Sequence, residues 1–187
     1  YIYIHIYMYI LFMYVYTGNA RIREGARKGL EVLAASTNIG STVVASHGIK
    51  PLPSKQASAW RPISTRLQLL TDLVTTYGIG GCPGLATAGG MNFAKAAGAF
   101  AHSNAEVRDS AKELTVAVHA VVGTGAIDGY LRALRPKQLE EYHAAFEGNP
   151  IAQKKESNGY SSEHKSPDAK QHQSDHHKSP SKVNTSA

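Results

Sequence analysis

Apolar residues recur at alternating spacings of four and three along two stretches of the chain. The first series is Ile63, Leu67, Leu70, Val74 and Tyr77, and the second is Val107, Ala111, Leu114, Val118 and Val121. Residues with this spacing share one side of an α-helix, so each series predicts an amphipathic helix with one buried face. Gly78 and Gly123 follow the two series. Since glycine commonly closes a helix, both helices are predicted to end there.

Two further segments favour helix on weaker patterns. The small-residue segment 86–101 has Met91, Phe93 and Phe100 as its larger apolar contacts, although its glycines disfavour helix. Pro136 suits the first turn of a last helix that carries Leu139, Tyr142 and Phe146. No segment predicts a strand, so an all-α fold is expected.

The chain also matches itself at a distance. NARIREGA begins at Asn19 and NAEVRDSA begins at Asn104, 85 positions later, and Arg66 stands 43 positions after Arg23 and 42 before Arg108. A period of 42 to 43 residues is typical of HEAT or armadillo helical pairs. We therefore predict a HEAT-type helical-hairpin solenoid fragment of about three repeats. Both asparagines are expected to cap helices, and Arg23, Arg66 and Arg108 to form a structural ladder between repeats.

The first sixteen residues, YIYIHIYMYILFMYVY, alternate Tyr and Ile with no polar face. Translation of an AT dinucleotide repeat produces this alternation, so we interpret residues 1–16 as a low-complexity gene-model artefact without a folded role. A covered edge strand is the alternative. The run is shorter than the roughly 18 to 20 apolar residues that a membrane-spanning helix needs.

Residues 149–187 differ in kind, being rich in Lys, His, Ser and Gln and almost without large apolar side chains. Such a segment buries too little surface to offset the entropy of ordering, so a disordered basic tail is predicted. The patterned domain is accordingly expected to span residues 17–148.

Charge and candidate chemistry narrow the function classes. Lys and Arg number 20 against 14 acidic residues, which gives a net charge of +6 and favours acidic partners. Cys82 is the only cysteine, and the Gly78 to Gly81 stretch does not end in the GK[ST] of a phosphate loop. With no paired carboxylates or clustered metal ligands in a recognisable spacing, we predict a binding protein rather than an enzyme, without cofactor or metal.

Several stretches together resemble one family. These are NARIREGARKGLEVLAAS, the segment from Trp60 to Gly80, and AFAHSNAEVRDSAKELTVAVHAVVG followed by YLRALRPKQLEEYHAAFEG. They look like the TOG domain, a six-repeat HEAT paddle that binds tubulin, and most like the TOG domain of centrosomal and ciliary-tip proteins. The resemblance covers about residues 17–148 and corresponds to the later repeats.

The resemblance implies where such a domain would bind. TOG domains meet tubulin through the turns within each helical pair, which here would be residues 17–21, about 50–61, and 102–106. The candidate contacts in those turns are Asn19, Arg21, Lys50, Lys55, Trp60, Arg61, His102 and Asn104. A basic edge fits an acidic tubulin surface. The expected partners are tubulin or microtubules, with other cytoskeletal proteins second, in the cytoplasm at the centrosome, centriole or cilium.

Two alternatives stay open. A generic HEAT scaffold would hold another protein on its helical faces rather than its turns. Nucleic acid has only the net charge in its favour, and no membrane association is expected.

Overall fold

A computed structural model describes residues 2–148, without the side chains of Ile2, Ile4, His5, Lys55, Ala86 and Thr87. The described residues form helices joined by turns and contain no strand, which confirms the predicted all-α class. Eight α-helices follow one another: α1 (Ile2–Tyr14), α2 (Ala20–Ala35), α3 (Gly40–Gly48), α4 (Trp60–Gly81), α5 (Gly90–Ala96), α6 (Ala105–Val122), α7 (Asp128–Leu131) and α8 (Pro136–Glu147). The predicted disordered tail, residues 149–187, lies outside the described residues.

The helices pair into hairpins that stack side by side. Helix α1 packs on α2, α3 on α4, and α5 on α6, while α7 is a single turn that leads into α8. The second helices of the hairpins form one continuous layer, because α2 contacts α4, α4 contacts α6, and α6 contacts α8. This arrangement is the helical-repeat fragment that the 42 to 43 residue period predicted.

Residues 1–16 differ from expectation, because 2–14 form a helix that is part of the core. Met8, Phe12 and Val15 are 1%, 5% and 0% exposed. Met8 and Phe12 lie on one face of α1, Val15 directly follows the helix, and α1 packs against α2. The buried face of α1 could not be predicted from the sequence, because the residues on the opposite side of the helix are also apolar. A translated dinucleotide repeat stays a prediction about the origin of the segment, which a fold does not test.

The two matched motifs adopt the same local structure. The Asn19 side chain accepts hydrogen bonds from the amides of Arg21 and Ile22, and the Asn104 side chain accepts one from the amide of Glu106. Each asparagine thereby satisfies amides that the first turn of a helix leaves unpaired. Ala26 and Ala111 are buried at matching positions, whereas Ile22 is 45% exposed and its counterpart Val107 is buried. The self-match thus predicted both helix starts but not the burial of Ile22.

The predicted helix ends also fall at glycines. Gly123 follows α6 with a φ of 80°, and Gly78 has a φ of 60°, a break after which the helical turns resume as far as Gly81. Segment 86–101 is more irregular than predicted. A π-helical turn (Leu85–Gly89) precedes the short helix α5, and Gly98 reverses the chain with a φ of 61° before a 3₁₀ turn.

The core between α4 and α6 includes buried hydroxyl groups that are hydrogen-bonded. Ser64 donates to the carboxylate of Glu106 at 3.0 Å and lies 3.1 Å from the hydroxyl of Ser110. Neighbouring hairpins are also joined by Arg27, which binds Glu24 and Glu31 on its own helix and Asp72 on α4. The hydrogen bond from Arg27 holds the pKa of Glu24 below its usual value, so this cluster fixes α2 against α4.

Tyr142 on α8 gives the fold a test at alkaline pH. Burial raises its pKa to about 12, while a hydrogen bond to Thr115 opposes that rise. In the folded chain Tyr142 stays protonated at pH values where the unfolded tyrosine loses its proton, so stability is lost as pH rises from about 10 to about 12. We expect the wild type to lose about 1–2 kcal/mol more than Tyr142→Phe over that range. Urea unfolding at pH about 9 and about 11.5 measures the difference, and parallel losses would contradict it.

Candidate binding edge

The second helices of all the hairpins run in the same direction. Tyr16 contacts Arg66 and Arg27 contacts Asp72, so α2 and α4 are parallel. Ser64 meets Ser110 near the start of α4 and α6, while Thr75 and Ala117 line one groove further along both helices. On α8, Tyr142 bonds Thr115 and Phe146 stacks on His119 at 4.1 Å between ring centroids. The N-termini of all four helices therefore share one edge of the molecule.

The turns that lead into these helices line that edge, and we call them together the turn edge. They comprise residues 15–19, 49–59, 97–104 and 132–135. The first three contain or adjoin the three turns that the resemblance implied. Arg66 joins the first two turns, because it bonds both Tyr16 of the first and Lys50 of the second. A small cavity of about 230 Å³ lies between Pro51 of the second turn and Ala97 of the third.

Two of the predicted arginines have the same role in different hairpins. Arg23 donates to the carbonyls of Thr17 at 3.0 Å and Gly18 at 2.9 Å. Arg108 donates to the carbonyls of His102 at 2.6 Å and Ser103 at 2.9 Å. In each case the two carbonyls precede the capping asparagine, so the arginine closes the turn of its own hairpin.

Arg66 is the third member and is buried, with 4% of its surface exposed. Its Nη1 donates to the carbonyls of Gly48 and Lys50 in the preceding turn, and its Nη2 donates to the hydroxyl of Tyr16. Among the described hydrogen bonds of the three arginines, the bond to Tyr16 is the one that crosses between hairpins. Each of the three arginines thus closes the turn of its own hairpin. Of the predicted ladder between repeats, the described residues show one bond, from Arg66 to Tyr16.

The asparagines and the histidine of the candidate edge are engaged within the chain. The side-chain oxygens of Asn19 and Asn104 cap their helices. His102 accepts a hydrogen bond from the amide of Asn104 at 3.0 Å through Nδ1. Their direct role is to shape the turns, which leaves any contact with a partner to the neighbouring exposed side chains.

The cations of the edge are exposed. Arg21, Lys50 and Arg61 all lie on the surface, and the side chain of Lys55 is outside the described part of the chain. Trp60 is half-buried against the core, and the guanidinium of Arg61 lies 4.4 Å from the centroid of its ring. This cation–π contact holds Arg61 at the surface in a defined position.

The structure adds two residues that the sequence analysis did not select. Arg132 and Arg135 are exposed in the fourth turn, next to the N-terminus of α8. Pro136 had located the start of that helix, so the same reasoning that placed the other turns could have found them. None of the four turns contains Asp or Glu. The second and fourth turns contain Lys and Arg, Arg21 adjoins the first turn, and the third turn contains neither Lys nor Arg. The positive ends of the four helix dipoles point the same way.

Other chemistry is sparse in the described residues. Within residues 2–148 no three metal-ligating side chains come together. Burial raises the pKa of Cys82, which disfavours the thiolate that a nucleophile requires. None of the helices in the described part of the chain combines the length and apolar character needed to cross a membrane.

Comparison of the chain with protein-family models, with curated proteins and with solved structures found no match.

Proposed function

We propose that this chain is a non-enzymatic binding module that uses the turn edge to hold an acidic protein surface. The observation that carries the proposal is a set of exposed cations along this edge: Lys50, Arg132 and Arg135 lie in its turns, and Arg21 and Arg61 lie in the first turns of α2 and α4. Such an edge attracts an acidic partner over a distance and can form charge-assisted hydrogen bonds with its carboxylates.

Tubulin or microtubules are the partners we propose, on the strength of the resemblance to TOG domains. The turns that such domains use correspond to the turn edge described above. The cellular setting proposed with them is the cytoskeleton of the centrosome, centriole or cilium. Binding of this kind requires no cofactor, and it depends on salt because exposed charges contribute most of the attraction.

A charge-reversal pair tests the proposal. Arg21→Glu together with Arg61→Glu is expected to weaken co-elution with free tubulin at low salt by about tenfold or more. Both positions lie in the first turn of a helix, where the dipole favours a glutamate, so the fold is preserved. The apparent Kd from titration with labelled tubulin measures the effect.

The matched control is Lys28→Glu with Lys112→Glu, which makes the same change in net charge on the helical faces. Lys28 is 68% exposed on α2, and Lys112 borders the groove between α4 and α6. The control should bind nearly as well as the wild type. Equal weakening in both pairs would show a nonspecific attraction, and no complex with the wild type would overturn the proposal.

A scaffold that binds through its helical faces is the second candidate, and one surface feature favours it. An open groove of about 320 Å³ runs between α4, α6 and α8 and is lined by Thr71, Thr75, Val116, Ala117 and Ala145. If this groove holds the partner, Ala117→Glu should abolish binding while Arg21→Glu with Arg61→Glu has little effect.

A further inference from the structure

A second cavity, of about 400 Å³, opens between α1, α3 and the second turn. This volume is in the range of small-molecule sites, roughly 300 to 1,000 Å³. Its walls are largely apolar and aromatic, being formed by Tyr9, Phe12, Met13 and Pro51. The charged residues among those that line it are Arg66 and Lys50, and none of the described lining residues carries a carboxylate.

Arg66 is a buried cation whose described hydrogen-bond acceptors and ring contacts are neutral groups. Its guanidinium lies 5.4 Å from the ring centroid of Phe12, 5.3 Å from that of Tyr16 and 5.6 Å from that of Phe93. Its hydrogen bonds go to two backbone carbonyls and one phenol. Among the described residues no carboxylate pairs with it, although burial of a charge without a counter-ion costs several kcal/mol. Ring faces and carbonyl dipoles offset part of that cost.

Two of its five N–H donors are not used by hydrogen bonds within the described residues. Three are used by Gly48, Lys50 and Tyr16, and the buried Nε has no hydrogen-bond partner. The second N–H of Nη2 is the other unused donor. In a guanidinium, Nε–H and the Nη2–H beside it form the fork that binds a carboxylate through two parallel hydrogen bonds, so this binding requires the Tyr16 hydroxyl to take the other Nη2–H.

We propose that this cavity binds an amphipathic carboxylate, meaning a molecule with one planar carboxylate and an apolar body about the size of an aromatic ring. The carboxylate would pair with the free side of Arg66, and the apolar body would lie between Phe12, Met13 and Pro51. A planar monoanion matches one guanidinium fork. A phosphate dianion would bring a second charge into an apolar space that offers one buried cation. The site does not depend on the proposed function, since it uses none of the exposed arginines of the turn edge.

The test uses the full chain and two matched probes, phenylbutanoate and the neutral phenylbutanamide. We expect phenylbutanoate to bind with a Kd below about 1 mM, and the amide to bind at least about tenfold more weakly. Calorimetry or the shifts of aromatic resonances measure both. Equal binding of acid and amide, or no binding of the acid at several millimolar, would overturn the proposal.

Variants assign the binding to this cavity. Arg66→Lys keeps the charge and removes the fork, so affinity for phenylbutanoate should fall at least about tenfold. Met13→Trp fills the cavity from its exposed side without touching Arg66, and it should also abolish binding. Tyr14→Trp is the control, because Tyr14 is exposed on the same helix and does not line the cavity. If Arg66→Lys does not fold, Met13→Trp decides: unchanged affinity in that variant refutes the site.

Discussion

Met8→Asp is expected to lower the free energy of unfolding by about 4 kcal/mol or more, or to prevent folding. Met8 is 1% exposed on the inner face of α1, so the new carboxylate would replace an apolar core contact with a buried, unpaired charge. Tyr7 is the matched control, since it is the preceding residue and is 66% exposed. Tyr7→Asp should change the unfolding free energy by less than about 0.5 kcal/mol. Urea unfolding followed by circular dichroism measures both variants.

This pair of variants decides whether the first helix is a working part of the domain. Met8→Asp and Tyr7→Asp change the free energy of unfolding by different amounts only if one side of α1 is buried and the other is exposed to solvent. Similar small effects at Met8 and Tyr7 would show that the segment has no folded role, as the Tyr/Ile alternation suggested.

Arg66→Met should destabilise the chain by about 3 kcal/mol, because it removes three hydrogen bonds and three ring contacts from a buried site. The carbonyls of Gly48 and Lys50 would lose their donors, and α1 would lose its tie to α4 through Tyr16. Methionine retains an apolar chain in place of the arginine stem and lacks the guanidinium. The loss therefore measures the polar contacts of the guanidinium more than the packing of the stem.

The other two arginines of the series provide the comparison. Arg23→Met and Arg108→Met should each cost about 1 kcal/mol, because their hydrogen bonds lie nearer the surface and each closes only a local turn. Denaturant titration of the three variants under one condition gives the ranking. A cost at Arg66 no larger than at Arg23 would mean that the crossing bond to Tyr16 stabilises little.

Local signals in the sequence predicted much of this fold. The capping asparagines and Pro136 at the first turn of α8 act over a few residues, and the period of 42 to 43 residues appears as a match of the chain with itself, so a single sequence reveals them. They located α2, α4, α6 and α8, and with these the positions of the turns. The cations Arg21, Lys50, Lys55 and Arg61 in or beside the first two turns were also visible in the sequence.

What the sequence did not reveal depends on contacts between distant residues. The burial of Met8 follows from the apolar face of α2, and an all-apolar segment has no polar side to show which face turns inward. Arg66 is an arginine in the same series as Arg23 and Arg108, so the sequence does not distinguish it from them. Its surroundings differ because a longer turn and the rings of Phe12, Tyr16 and Phe93 enclose it. The cavity beside it could not be inferred from spacing for the same reason.

The closed turns have a consequence for how such a chain can change in length. Arg23 and Arg108 bond carbonyls of their own hairpins. The residues that determine each of these turns therefore lie within one segment of about forty residues. Duplication or loss of such a segment would carry the turn geometry along and would require new packing only at the two flanking faces. The hairpin that begins with α3 is less portable, because Arg66 depends on a hydroxyl supplied by its neighbour.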